Sequence, residues 1–119
     1  MTRQSIPDFL KLAKLAAQIS DERKGHNVML LSVKRLTAVA DYFVIVTGLS
    51  APHLTALSSI VRKTFREEYG LEIVHTEGRG SPNWVVLDYG GLVVHFMTEQ
   101  AREFYALENL WDEARKLKF

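Results

Sequence analysis

Histidine is the side chain that most readily changes charge near neutral pH, and the sequence has four: His26, His53, His75 and His95. None forms an H-E-x-x-H or H-x-H arrangement, and none is spaced as a zinc ligand set. They read as scattered structural or surface residues. The segment Thr47-Gly48-Leu49-Ser50 sits where a strand should hand over to a helix, and backbone N–H groups at a helix start can hold an anion. A protonated His53 would add charge there. One glycine, however, is neither the three of a dinucleotide fingerprint nor a G-K-S/T phosphate loop; an ordinary turn and cap explains the same residues. Hydrolysis by a serine nucleophile would need serine, histidine and carboxylate in mutual reach, and no G-x-S-x-G elbow occurs. Two-metal nucleotidyl transfer would need clustered carboxylates. Asp41 and Asp88 belong to no D-x-D or D-x-E pair. The expectation is a protein without catalytic, cofactor-binding or metal-binding residues, one that is not an enzyme.

The composition agrees with a binding role but does not specify it. The chain has 119 residues, with 47% hydrophobic and 24% charged side chains. That suggests one domain over residues 1–119, long enough to bury a core without staples. Cysteine is absent, which removes disulfides and thiolate chemistry. The formal net charge is +1, a small basic excess for a protein held on RNA mainly through phosphates. Lys34-Arg35, Arg62-Lys63 and Arg115-Lys116-Lys118 have acids nearby and read as solvated faces; a peripheral RNA contact through one of them stays open. The apolar stretches Val28–Leu31 and Tyr42–Val46 are too short to span a bilayer, and Met1–Pro7 has no signal-like apolar run. A cytoplasmic protein with no membrane contact is expected.

Several elements would position these residues. Ser5-Ile6-Pro7-Asp8 reads as a helix start, with Ser5 as cap, and Phe9, Leu12, Ala13, Ala16 and Ile19 follow at helical spacing up to Lys24-Gly25. Val28–Val33 and Tyr42–Thr47 read as strands, the second apolar on both faces and so central. Ser50 and Pro52 open a helix whose buried stripe is Leu54, Leu57, Val61 and Phe65, closing at Tyr69-Gly70. Leu71–Thr76 reads as a third strand, parallel to the second. Glu77–Asn83 is a loop. Trp84–Asp88 and Leu92–Met97 form a hairpin about Gly90-Gly91, and a C-terminal helix runs from Thr98 towards Lys116. The order α-β-β-α-β-β-β-α predicts an α/β fold with a single mixed five-stranded sheet flanked by helices.

Within this frame the hairpin is the most unusual feature. A two-residue turn pairs Tyr89 with Leu92, Leu87 with Val94 and Val85 with Phe96, giving one uniformly apolar face. The opposite face carries Trp84, Val86, Asp88, Val93, His95 and Met97. An aromatic anchor on a mixed surface suits a binding patch; cover by another element of the same chain would also explain it. Downstream, Phe104, Leu107 and Trp111 fall on one helical stripe, expected in the core, while Tyr105 and Glu108 lie on an adjacent one that could meet a partner.

Three segments together carry a resemblance. Asp41-Tyr42-Phe43-Val44-Ile45-Val46-Thr47-Gly48-Leu49-Ser50 resembles the D-Y-F-V-I-x-T-G-x-S signature of the Iojap-like ribosomal silencing factors. Trp84-Val85-Val86-Leu87-Asp88-Tyr89-Gly90 is similar to their W-V-L-L-D-Y-G strand. Val93-Val94-His95, then Arg102 to Tyr105 and Leu107 to Trp111, resemble their V-H-x-F…R-x-x-Y-x-L-E-x-L-W ending. The match runs from about Phe9 to Leu117. The resemblance implies a nucleotidyltransferase-like fold without that group's catalytic carboxylates. It also implies a protein that binds the large ribosomal subunit through large-subunit ribosomal protein 14. There it blocks small-subunit docking and represses translation when nutrients fall. Members are often homodimers when free. Carried over by position, the partner-binding residues would be Trp84, Leu87, Asp88, Tyr89, Tyr105, Leu107, Glu108 and Trp111. Hairpin periodicity puts Trp84 and Asp88 on one face and Leu87 and Tyr89 on the other, which favours Trp84 with Asp88 at the centre of the patch. The rival readings are an RNA-binding module, and a nucleotidyltransferase-related enzyme or nucleotide-binding protein using the Gly48–His53 turn.

Overall fold

The computed structural model describes residues 7–77 and 82–119. Helix α1, Phe9–Glu22, starts at Asp8, whose Oδ1 accepts from the Lys11 N–H at 3.1 Å. That is the side-chain cap a helix start needs for its free N–H groups. Ser5, expected in this role, lies outside the described residues, as does the centre of the expected loop, 78–81. Strand β1 (His26–Ser32) and strand β2 (Tyr42–Gly48) follow, and every residue of β2 is buried. Helix α2, Ala51–Tyr69, has Ser50 as its cap and Gly70 in the left-handed conformation at its end, φ +61°. Leu54, Leu57, Val61 and Phe65 are its buried stripe, at most 1% exposed.

The remaining elements are β3 (His75–Glu77), β4 (Trp84–Asp88), β5 (Leu92–Thr98), α3 (Glu99–Tyr105), α4 (Leu107–Leu110) and β6 (Arg115–Leu117). The sheet order is β3-β4-β5-β2-β1-β6. Among the described residues only β2 and β5 run parallel; every other neighbouring pair is antiparallel. The fold is thus the expected mixed α/β sheet flanked by helices, with six strands where five were expected. The additional strand arises at the C-terminus. The expected continuous helix breaks at Ala106, which takes a left-handed φ of +46°. Beyond it Arg115–Leu117 pairs with Leu30–Ser32 of β1. β3 is shorter than expected, beginning at His75 instead of Leu71. It runs in the same sense as β2, as expected, since it is antiparallel to β4, which is antiparallel to β5. The two are not neighbours, because β4 and β5 lie between them.

The hairpin has the expected register: Val85 opposes Phe96 and Leu87 opposes Val94. The Tyr89 N–H donates to the Leu92 carbonyl at 2.8 Å. Side chains alternate across the sheet, so each strand feeds two cores. On one side Val44, Val46, Val85, Leu87, Tyr89, Leu92, Val94 and Phe96 pack beneath α1 and α2. On the other, Leu31, Phe43, Ile45, Val93 and Met97 pack beneath Ala101, Leu107 and Trp111 of the C-terminal segment. That second core settles what covers the mixed hairpin face: its inner part is covered by the chain itself, while Trp84 and Val86 at its margin stay half-exposed.

Candidate functional site

The sheet margin at β4 and the short helix α3 form the walls of a groove of about 860 Å³. Trp84, Val86, Asn83 and Glu77 line one wall; Gln100, Glu103, Phe104 and Tyr105 line the other, with Ala101 between them. Thr98 caps α3 by accepting from the Ala101 N–H at 3.3 Å, and its own N–H donates to the Asn83 carbonyl at 2.9 Å. The helix is thereby tied to the residue next to Trp84.

Aromatic rings run through this surface in a nearly continuous series. Phe104 meets Tyr105 at 4.9 Å between centroids, Tyr105 meets Trp84 at 4.7 Å, and Trp84 meets His95 at 5.8 Å. Phe43 then touches His95 at 5.4 Å and Trp111 at 5.2 Å, both edge to face. The series passes from solvent into the core: Phe104 is 81% exposed, Tyr105 is 49% exposed, and Phe43 is buried. Offset and edge-on ring pairs are each worth about 0.5–1.5 kcal/mol beyond the area they bury, so the exposed rings sit on a stiff base.

His95 anchors the middle of the series. The Trp84 Nε1–H donates to His95 Nδ1 at 3.1 Å, which puts the imidazole proton on Nε2. Burial holds the His95 pKa down at about 4, because a charged ring there would lose its hydration. The ring is therefore neutral at physiological pH and acts as an acceptor that orients the indole.

Arg102 is another buried polar group. It is 4% exposed, and its Nη1 donates to Thr47 Oγ1 at 2.9 Å and to the Asn27 carbonyl. Its Nε lies 3.5 Å from Glu108 Oε2. That is an ion-pair distance without hydrogen-bond alignment: among the described residues Nε, Nη2 and Oε2 have no hydrogen-bond partner. Burial lowers the Arg102 pKa, and the Glu108 charge opposes the shift.

The carried-over residues do not form one surface. Trp84 and Tyr105 are in ring contact and partly exposed. Asp88 is at the hairpin end, where its Oδ1 accepts from the Gly90 N–H at 2.7 Å and closes the turn. Leu87 and Tyr89, 2% and 3% exposed, lie in the core beneath α1 and α2. Burial raises the Tyr89 pKa to about 12, and among the described residues its hydroxyl has no hydrogen-bond partner. Leu107 and Trp111 are half-buried against the second core. Glu108 faces Arg102 within the molecule. Sequence reasoning placed Phe104 in the core with Leu107 and Trp111. The left-handed residue Ala106 between them rotates the stripe, so Phe104 points to solvent instead. Alanine gives no warning of such a break, since glycine is the residue expected at a left-handed end.

At the Gly48–His53 turn both imidazole nitrogens of His53 are engaged. Nδ1 accepts from the Leu49 N–H and Nε2 donates to the Arg23 carbonyl, each at 2.9 Å. The ring thus occupies a backbone N–H that an anion would need.

The model of the family described as "Ribosomal silencing factor during starvation" matches residues 6–119. The chain belongs to the ribosomal silencing factor family. It is 35% identical over 104 residues to the ribosomal silencing factor of Halalkalibacterium halodurans, covering 87% of this chain and 88% of that protein. It is 30% identical to the chloroplastic protein Iojap of Arabidopsis thaliana, over 97% of this chain and 46% of the plant protein. A crystal structure of a protein from Chromobacterium violaceum matches with a TM-score of 0.83 at 32% identity, covering 95% of this chain and 92% of that one. Membership of a ribosomal silencing factor family makes this a translation-regulating protein with a ribosome-related partner. Among the described residues no helix is long and apolar enough to cross a membrane.

Proposed function

We propose that this silencing factor acts by binding and steric exclusion, not by catalysis. It docks on the large ribosomal subunit in the cytoplasm through large-subunit ribosomal protein 14, and its body then blocks association with the small subunit. Translation falls under nutrient limitation as a result. The observation that carries this reading is the exposed aromatic surface of Trp84, Tyr105 and Phe104, seated on a buried base. Stiff, partly exposed aromatic anchors lose little conformational freedom on binding and dominate the energetics of protein interfaces. Asp88 sits at the hairpin end of the same sheet face and would contribute at the edge, while Leu87 and Tyr89 contribute by supporting the strand from below. Leu107 and Trp111 back the surface from the second core. A peripheral contact to ribosomal RNA would fall to one of the basic runs Lys34-Arg35, Arg62-Lys63 or Arg115-Lys116-Lys118.

Co-sedimentation with separated ribosomal subunits tests the reading. Wild type is expected to travel with large subunits and to lower the yield of joined ribosomes when small subunits are added. Trp84→Ala and Tyr105→Ala should each weaken large-subunit binding at least tenfold, with folding checked by thermal melts. Undiminished binding by both variants would reject this surface. Sedimentation of the free protein reads the homodimer expected from the family resemblance.

A further inference from the structure

Tyr105 owes its position to something other than helix stability. α3 has seven residues and α4 has four, both too short to hold themselves in water. The two meet at Ala106, whose left-handed conformation is unfavourable for a non-glycine residue, and among the described residues α4 has no side-chain cap. A tether is needed on both sides of that corner.

Arg102 and Glu108 supply it. Upstream of the corner, the Arg102 guanidinium reaches under α3 to the Thr47 hydroxyl at the end of β2 and the Asn27 carbonyl in β1. Downstream, Glu108 is in the first turn of α4 with its side chain 28% exposed, 3.5 Å from Arg102 Nε. A guanidinium 4% exposed needs a countercharge. Among the described residues Glu108 is the one carboxylate at ion-pair distance from it. The two residues bracket Tyr105 and Ala106.

We propose that Arg102 and Glu108 form an intramolecular clamp that sets the Ala106 corner and holds Tyr105 against Trp84, so that Glu108 is a positioning residue and not a partner contact. This rests on the reading that the Trp84–Tyr105 surface faces the ribosome, and it reverses the role that position would take from the family resemblance. A clamp acts before any partner arrives, and its loss is visible in the free protein.

The test joins two measurements on the full chain. In free protein, the Trp84 indole N–H resonance, assigned with Trp84→Phe, is sensitive to the neighbouring Tyr105 ring. Glu108→Ala and Glu108→Gln are each expected to shift it, because both remove the countercharge, while Glu108→Asp, which keeps a carboxylate, shifts it less than either. Large-subunit binding should weaken at least fivefold in Glu108→Ala and Glu108→Gln and by less in Glu108→Asp. Arg102→Lys should shift the same resonance, and adding Glu108→Ala to it should weaken binding no further. The proposal is overturned if the Trp84 resonance stays in place in both Glu108→Ala and Arg102→Lys. It is equally overturned if Glu108→Asp weakens binding as much as Glu108→Ala. Failure of the surface reading looks different: Trp84→Ala and Tyr105→Ala would then bind as wild type, whatever the Glu108 variants do to the spectrum.

Discussion

His95 shows how one buried polar side chain serves both stability and the placement of the exposed aromatic surface. Its ring accepts from the Trp84 indole and packs edge-on against Phe43. Its pKa of about 4 lies below the ordinary value of 6.5, so the unfolded chain binds a proton that the folded chain rejects. The resulting stability is fully present above pH 6.5 and is lost as pH falls from 6.5 towards 4. At about 1.4 kcal/mol per unit, the loss is on the order of 3 kcal/mol. His95→Asn keeps an acceptor for the indole and does not titrate. Urea melts at pH 7 and pH 4.5 should therefore show a loss larger by about 2–3 kcal/mol in wild type than in His95→Asn; equal losses would remove His95 as the cause. The four histidines look alike in sequence. Their differences in role come from neighbours that are distant along the chain, such as Arg23 for His53 and Trp84 for His95.

At the scale of elements, α1, α2 and the hairpin were legible because each carries a strong local pattern. The 3.6-residue stripe of α2, its Ser50 cap and the paired glycines of the hairpin each mark an element by short-range chemistry. Gly91 has a further role: a Cβ there would fall 2.2 Å from the Phe9 ring, so the turn must stay small for α1 to cross it. The C-terminal corner was not legible. Residues 98–111 carry good helix formers, and the contacts around the break at Ala106 are long-range: Arg102 with Thr47 and Asn27, Tyr105 with Trp84, and Leu107 and Trp111 with the second core. Because alanine holds the left-handed conformation there at a cost, Ala106→Gly should stabilise the protein by about 1 kcal/mol. Chemical denaturation reads this directly. A loss of stability would mean that the alanine methyl packs usefully or that the corner is set differently.

Across the whole molecule, the parallel pair β2 and β5 forms the spine, with a core on each side. α1 and α2 cover one face fully, whereas the other is covered by two short helices and leaves its β4 margin open. That asymmetry produces the groove. The C-terminal strand completes the opposite edge, where Leu117 packs against the first core. Removing residues 115–119 should cost about 2 kcal/mol, the sum of a few ladder hydrogen bonds and one partly buried leucine. It should also raise self-association, because it bares the β1 edge. Thermal melts and light scattering would show both; an unchanged melt would make β6 dispensable.

By itself the sequence determined the class of fold, the two long helices, the hairpin register and, through its three separated motifs, the family. These depend on local periodicity, capping and turn chemistry, which neighbouring residues carry between them. The tertiary structure decided what depends on residues far apart in the chain. It placed β4 and β5 between β2 and β3, made a sixth strand of the C-terminus and turned Phe104 outward. It also placed the carried-over residues at different depths, Trp84 and Tyr105 partly exposed, Leu87 and Tyr89 in the core, and Glu108 facing Arg102. The physical reason is burial: which face of a strand or short helix meets solvent is decided by what packs on it, and that packing is long-range.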